Sequence, residues 1–307
     1  MLGEPGQWSR GASQSRDALL FCTAISVPTI VQRCAVGDIL RDSIGSTVAG
    51  QAKALTMFNL PTSSVRAPSL IRRAASDERP NNRLLAGLPS ADFRRILPDL
   101  QTIPMIARQV LLKRGEPIRH VFFPNGGICS ITAMMKNGSA VEMATVGAEG
   151  VVGIGAFFGS DAMSGETMVQ VPDTSMERMT IKRFDSEMKL RGAMYDRVSR
   201  QAQGTLAMMM QSTACVAFHS LQQRCCRWLL MTHDRVKNDQ FTLSHESLAM
   251  MLAASRPTVS IVAGMLQQEG FIRYSRARMT ILNRARLEAA SCECYATIRS
   301  EFDRLGL

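Results

Sequence analysis

The stretch over residues 243–282, LSHESLAMMLAASRPTVSIVAGMLQQEGFIRYSRARMTIL, constrains this chain more than any other part of it. Leu248, Met251 and Leu252 fall at i, i+3 and i+4, which places one apolar stripe on a short helix. Ser244 is positioned to cap that helix. Ala253, Ala254 and Ser255 make a short joint, and Ser255 can cap a second helix by accepting from its free N–H groups. On the second helix Val259, Val262, Ala263 and Leu266 repeat at +3, +4 and +7, the signature of one buried face. The other face carries Arg256, Ser260, Ile261, Gly264, Gln267 and Gln268, with no acid among them. Gly270 suits the helix end, where a left-handed residue closes the last turn. Residues 271–274 and 279–282 then read as two strands around the basic turn 275–278, a wing. The competing reading is a plain helical hairpin in an apolar core. Caps, spacing and wing together favour a winged helix–turn–helix, and a helix with a basic, acid-free face is what the DNA major groove admits.

Charge points the same way. The chain carries +10 over 307 residues, with a pI near 9.6, which favours a polyanionic partner. Ten basic residues stand against four acids between positions 219 and 286, so most of the excess travels with the helix–turn–helix. No apolar run approaches the ~18 residues that a membrane span needs. Residues 19–27 are apolar and follow Arg10 and Arg16, but Asp17 adjoins them and no small-x-small cleavage site follows, so export is not expected. The eight cysteines are scattered and form no C-x-x-C pair, so neither a disulfide framework nor a zinc finger is indicated, and a reducing cytoplasm suits them. Cys292-x-Cys294 is too small a cluster to hold a metal by itself, and no metal or cofactor is expected. Cys225 and Cys226, flanked by Arg224 and Arg227, are either inert core residues or oxidant-sensing thiols.

Five regions succeed one another along the chain. Residues 1–80, rich in Ser, Arg, Ala, Gly and Pro, read as a disordered or weakly helical leader, with Met57 an alternative start. Residues 82–183 open with a helical lead-in (apolar at Leu84, Leu85, Leu88, Phe93, Ile96 and Leu97). Short β-prone runs at 110–112, 121–123, 128–133, 141–146 and 167–171 come next. Turn signals such as Asn125-Gly126-Gly127 and Asn137-Gly138 separate them, as in an antiparallel β-roll of jelly-roll type. Residues 185–217 turn helical, with Leu190, Met194, Val198, Thr205, Met208, Met209 and Ser212 as the expected seam of a parallel homodimer. Gly192 and Gly204 weaken that helix and call for tertiary support. Residues 219–286 form the winged domain, led by a helix with Leu221, Cys225, Trp228, Leu229 and Thr232 near one face. Residues 287–307 read as a polar helical tail. The expected class is α+β.

A glycine-punctuated β-roll, a long helix and a winged helix–turn–helix together resemble the Crp/Fnr superfamily of bacterial transcription regulators, over roughly residues 82–295. The run Leu248-Ala-Met-Met-Leu-Ala-Ala-Ser-Arg-Pro-Thr-Val259 looks like the family's signature, in which Ser-Arg-x-Thr-Val opens the recognition helix. The resemblance implies that Arg256 reads a guanine edge and that Ser255 and Thr258 contact phosphate. Pro257 stands where many members have a base-reading glutamate, Ile261 where they often have a second arginine, and Ala253 where glycine is frequent. Proline near a helix start is tolerated, so DNA binding survives these departures although the operator changes. Ser260 and the wing residues Arg273, Arg276 and Arg278 complete the expected DNA-binding set.

The sensor half departs further. Cyclic-nucleotide-binding members carry a Gly-Glu pair for the ribose and an arginine turn for the phosphate. Gly153-Ile154 and Gly165-Glu166-Thr167 occupy those places here, and a buried phosphate without a cation or donor nest is poorly compensated. Glu149 and Arg119 are either surface residues of the roll or contacts for another polar effector, and the iron–sulfur members' N-terminal cysteine spacing is not reproduced. A cupin-like metal enzyme needs several His and carboxylate ligands inside the roll, whereas His120 is the one histidine that falls there. The expectation is therefore a non-enzymatic regulator whose partners are duplex DNA, a second copy of itself, RNA polymerase and a small-molecule effector of open identity. The alternative is an effector-binding or dimerisation module with secondary DNA contact.

Overall fold

The computed structural model describes residues 79–137 and 139–307. The expected leader up to residue 78, and Gly138 of the Asn137-Gly138 turn, lie outside the described residues. Two short helices, α1 (Arg83–Ala86) and α2 (Ser90–Ile96), form the lead-in. Asn82 pins them to the roll. Its side chain accepts from Leu85 N–H and donates to the carbonyls of Pro124 (2.8 Å) and Gly150 (2.9 Å), so this buried amide is satisfied on both ends.

Seven strands make the roll: β1 (Gln101–Pro104), β2 (Val110–Leu112), β3 (His120–Pro124), β4 (Ile128–Met134), β5 (Ala140–Val146), β6 (Glu166–Val171) and β7 (Ser175–Thr180). They pair antiparallel in two sheets, ordered β1-β7-β3 and β2-β6-β4-β5. Side chains such as Val121, Phe123, Ile128, Val169, Val171, Met176 and Met179 fill the space between them. Five strands fall where the sequence places them. β1 and β7 do not show in the pattern because β1 is short and half exposed, and β7 mixes Glu177 and Arg178 between its buried methionines.

Helices α3 (Ile181–Lys189) and α4 (Ala193–Phe218) lead out of the roll. Then come α5 (Leu221–His233), β8 (Gln240–Thr242), α6 (His245–Met251), α7 (Arg256–Gln268), β9 (Ile272–Ser275), β10 (Arg278–Ile281), α8 (Arg284–Ala289) and α9 (Cys294–Leu305). The mixed α+β class and the order of roll, long helix and winged helix–turn–helix are as the sequence predicts. The wing sheet has a third strand, in order β8-β10-β9.

Three expectations need correction. The first is the dimer seam. Leu190 caps α3 rather than belonging to the long helix, and Arg191, with φ +53, breaks the chain before α4 begins. Met194, Val198, Thr205 and Met208 are buried within their own chain, and Met209 and Ser212 are half-buried. Met208 is taken by β5, where its Sδ accepts from Thr145 N–H at 3.4 Å. Met194, Val198, Thr205 and Met208 are therefore turned toward their own chain. The face α4 leaves exposed is instead Gln203, Leu206, Met210, Thr213 and Ala217.

The second is the tail, which is two helices, and α9 is amphipathic rather than polar. Ile298, Phe302 and Leu305 are buried, and α9 lies along α4. A Cβ on Gly204 would meet Leu307, Leu305 and Phe302 at 3.2–3.4 Å, so this glycine admits the tail.

The third is Glu149, for which a surface position on the roll is one of the two readings the sequence allows, but which is only 2% exposed. Its Oε1 accepts from Arg235 Nε and Nη2, both at 2.8 Å, and from Gly147 N–H at 3.0 Å, while Arg83 lies 3.8 Å from Oε2. Arg235 also donates to the Met231 carbonyl at 2.9 Å. This latch joins the roll to the end of α5. Burial pushes the Glu149 carboxyl up, and the charge and hydrogen bonds of Arg235 outweigh it, leaving the group below its ordinary value.

Candidate nucleic-acid interface

Helices α6 and α7 meet at 103°, within the range of a helix–turn–helix. Each has the cap the sequence predicts. Ser244 Oγ accepts from Ser247 N–H at 3.0 Å, and Ser255 Oγ accepts from Thr258 N–H at 3.3 Å. Between them Ala253 takes φ +49, a left-handed conformation that costs a non-glycine residue roughly 1–2 kcal/mol. Gly270, at φ +74, closes the far end of α7. Val259, Val262, Ala263 and Leu266 are buried as the 3.6-residue period requires, and the opposite face is left open.

On that open face Arg256, Pro257, Thr258 and Ile261 are exposed at the first turns of α7, at the positive end of the helix dipole. Ser255 is exposed as well, its hydroxyl 2.7 Å from that of Thr258. Ser260 is different. Its hydroxyl bonds His245 Nδ1 at 2.8 Å and the Arg256 carbonyl at 3.0 Å, so it is half-buried and anchors α7 to α6 rather than lying free for a base edge. The His245 ring stacks on Tyr274 at 4.2 Å, which ties the wing to the same joint. Burial, then the charge of Arg256, hold the His245 imidazole below its ordinary value.

Strands β9 and β10 turn over Arg276 (φ +48) and Ala277 (φ +61), two left-handed residues between the paired Ser275 and Arg278. Two consecutive positive φ values match the twist of a tight hairpin and push the tip outward. Arg273, Arg276 and Arg278 are exposed there. Among the described residues none of Arg256, Arg273, Arg276 and Arg278 is in an ion pair, so their charge faces outward.

Behind this surface the winged domain rests on the roll. The Trp228 indole N–H donates to Glu142 Oε1 at 2.8 Å, and Ser130 Oγ donates to Glu142 Oε2 at 2.5 Å. Burial pushes the Glu142 carboxyl up to about 7. A cavity of about 320 Å³ opens beside it between β5, α4, α5 and α6, with Met208, Arg224, Arg227 and Met251 in its lining. In the roll, Ile154 is part of the apolar core. Gly165 lies so close to the Thr132 carbonyl that a Cβ there would collide with it.

The cysteines also sort themselves. Cys225 and Cys226 are fully buried and burial raises both thiols, Cys226 to about 12, which removes the oxidant-sensing reading. Cys292-x-Cys294, too small a cluster alone, gains two companions in space, Cys215 and His219. No local spacing in the sequence announces that grouping.

The comparisons with known proteins agree with this geometry. Residues 223–290 match the model of the Crp-like helix-turn-helix domain. The transcriptional regulator LdrP of Thermus thermophilus is 24% identical over 187 residues, which cover 59% of this chain and 92% of LdrP. Among solved structures, TTHB099 of Thermus thermophilus, a transcriptional regulator of the CRP family, superposes with a TM-score of 0.51 at 21% identity, covering 62% of this chain and 95% of its own. FixK2 of Bradyrhizobium japonicum gives 0.54 at 14% identity, covering 63% and 98%. These two show a shared fold across roll and winged domain. The chain thus carries a Crp-like helix-turn-helix domain, is similar to a transcriptional regulator over 59% of its length, and shares the fold of TTHB099 and FixK2.

Proposed function

We propose that the protein works in the bacterial cytoplasm as a homodimer that reads a pseudo-palindromic operator, without cyclic AMP. The observation that carries the reading is the exposed arginine at the start of α7, Arg256, flanked by the basic wing. Arg256 sits where a guanidinium can fork onto a guanine edge, while Arg273, Arg276 and Arg278 sit where phosphates would pass. The seam of the dimer is the exposed face of α4. Gln203, Leu206, Met210, Thr213 and Ala217 succeed one another at intervals of 3, 4, 3 and 4, the heptad pattern of a coiled coil. Paired this way, two α7 helices would meet half-sites about one helical turn, ~34 Å, apart.

An effector would act as a population shift, by changing how the winged domain rests on the roll. The cavity beside Glu142 touches elements of both, and its two arginines favour an anionic ligand with an apolar body. Cyclic nucleotides are a poor fit to the roll itself, because Ile154 and Gly165 replace the groups that would hold ribose and phosphate.

Sequencing of genomic DNA fragments captured by the protein, followed by footprinting, tests the reading. A protected, two-fold site is expected. Arg256→Ala should weaken that site by roughly 1–3 kcal/mol and relax one base pair per half-site. Arg276→Ala should weaken all sequences alike and flatten the salt dependence. A salt-sensitive smear with no protected site would sink the proposal, and stoichiometric binding of cyclic AMP or cyclic GMP in calorimetry would remove its effector clause.

A further inference from the structure

Cys215 and His219 lie one helical turn apart at the end of α4, while Cys292 lies in the link between α8 and α9 and Cys294 is the first residue of α9, with Glu293 between them. The fold brings both pairs to one point. One ligand atom from each of the four residues lies within 4.8 Å of every other. Cys215 Sγ is 3.5 Å from Cys292 Sγ, and Cys294 Sγ is 3.5 Å from His219 Nδ1. A tetrahedral zinc with Zn–S near 2.3 Å and Zn–N near 2.05 Å sets S···S at about 3.8 Å and S···N at about 3.6 Å, within a few tenths of an ångström of these two pairs, and about 1 Å of movement at most would bring in the remaining ones.

We infer that Cys215, His219, Cys292 and Cys294 form a tetrahedral Cys3His site for a structural zinc ion. Three observations support this beyond proximity. The three sulfurs make a buried cluster of their own, separate from the main core and with no other apolar residue in it. A pocket of thiols alone is an unusual way to fill a core and a common way to hold a soft-leaning ion. His219 is also oriented for the task, with Nδ1 facing the sulfurs while Nε2 lies 3.0 Å from the exposed Glu293 carboxylate. A ligating imidazole with its second nitrogen on a carboxylate is the usual outer shell of a zinc site. Finally, the Gln211 amide donates to Cys294 Sγ at 3.0 Å, a donor aimed at a sulfur that carries charge once metallated. Four donors converging on one point enclose a single ion. An iron–sulfur cluster would spread its ligands over separate irons.

The position gives the ion a purpose. Residues 218–220 are the joint at which α4 passes the chain to α5 and the winged domain. Zinc there would tie the end of α4 to the link between α8 and α9, across a loop of 77 residues, and so set the angle at which the winged domain leaves the long helix. The inference does not depend on the operator or dimer reading.

The test is metal analysis of the full chain, purified under reducing conditions from zinc-supplemented cells. One zinc per chain is expected, with no iron or acid-labile sulfide. In Cys292→Ser and Cys294→Ser the zinc content should fall at least fivefold, while Cys226→Ala should keep it. A second measurement covers the case in which the serine variants do not fold. Cobalt(II) added to the wild-type chain, stripped of zinc, should give the visible absorption of a tetrahedral thiolate complex, and zinc should abolish it. A wild-type chain with under a tenth of an equivalent of zinc and no such cobalt spectrum overturns the inference. So does iron with labile sulfide, or a Cys215–Cys292 disulfide in the protein as isolated.

Discussion

Replacing Glu149 by glutamine should cost this protein a large part of its stability, because Arg235 would lose its charged partner in a nearly dry setting. The side chains of Glu149 and Arg235 are 2% and 11% exposed. Removing one partner of a buried ion pair costs about 3–5 kcal/mol, much of it the penalty of the stranded charge. Glutamine can still accept from Gly147 N–H, and Arg235 keeps its bond to the Met231 carbonyl, so the low end, about 3 kcal/mol, applies. For a domain of this size that is a fall in Tm of roughly 6–12 °C. Urea unfolding followed by circular dichroism measures it. The pH dependence carries a second signature. The Glu149 pKa is depressed in the folded state, so its contribution is complete above the ordinary value of 4.5 and is lost as pH falls through the lower folded value. The glutamine variant should lack this acid-limb loss. Adding Arg235→Met to Glu149→Leu should recover most of the stability, since apolar replacement of a whole buried pair is often neutral. A loss under about 1 kcal/mol for Glu149→Gln, or a double variant less stable than either single one, would refute the latch.

Three further outcomes are expected. Leu206→Glu with Met210→Glu should give a monomer in sedimentation while leaving the melting curve nearly unchanged, whereas Met208→Glu should unfold the chain; a double variant that stays dimeric would mean the seam lies elsewhere. Glu142 has its folded pKa raised from 4.5 to about 7, so its contribution is full below pH 4.5 and declines until pH passes about 7. Glu142→Gln should therefore be more stable than wild type at pH 8 and show a flatter profile from pH 5 to 8, in denaturation series at fixed salt. Ala253→Gly removes a left-handed penalty of roughly 1–2 kcal/mol against about 0.5–1 kcal/mol of added chain entropy, so a gain of a few tenths to about 1 kcal/mol is expected; a clear loss would show that the joint does not need φ > 0.

The winged helix–turn–helix was legible from its residues because all its determinants are local. Ser244 and Ser255 cap, Val259 to Leu266 keep the helical period, Gly270 ends the helix and a basic two-residue turn makes the wing, each within a few positions of its partner. Five strands of the roll were legible for the same reason, while β7 was hidden because its partners β1 and β3 decide which of its mixed residues turn inward. The long helix shows the limit more sharply. Both faces of α4 carry methionines and aliphatic residues, so period alone cannot say which face meets the roll. β5 and α9 settle it by taking Met208 and Gly204 and leaving Leu206 and Met210 outside. Glu149 and Arg235, 86 positions apart, and Cys215 and Cys292, 77 apart, could be joined by nothing in the sequence pattern. Local hydrogen bonding and side-chain period are written residue by residue. The partner of a buried charge, the inward face of a two-sided helix and the convergence of four ligands come into being only when distant segments pack, and tertiary structure alone decides them.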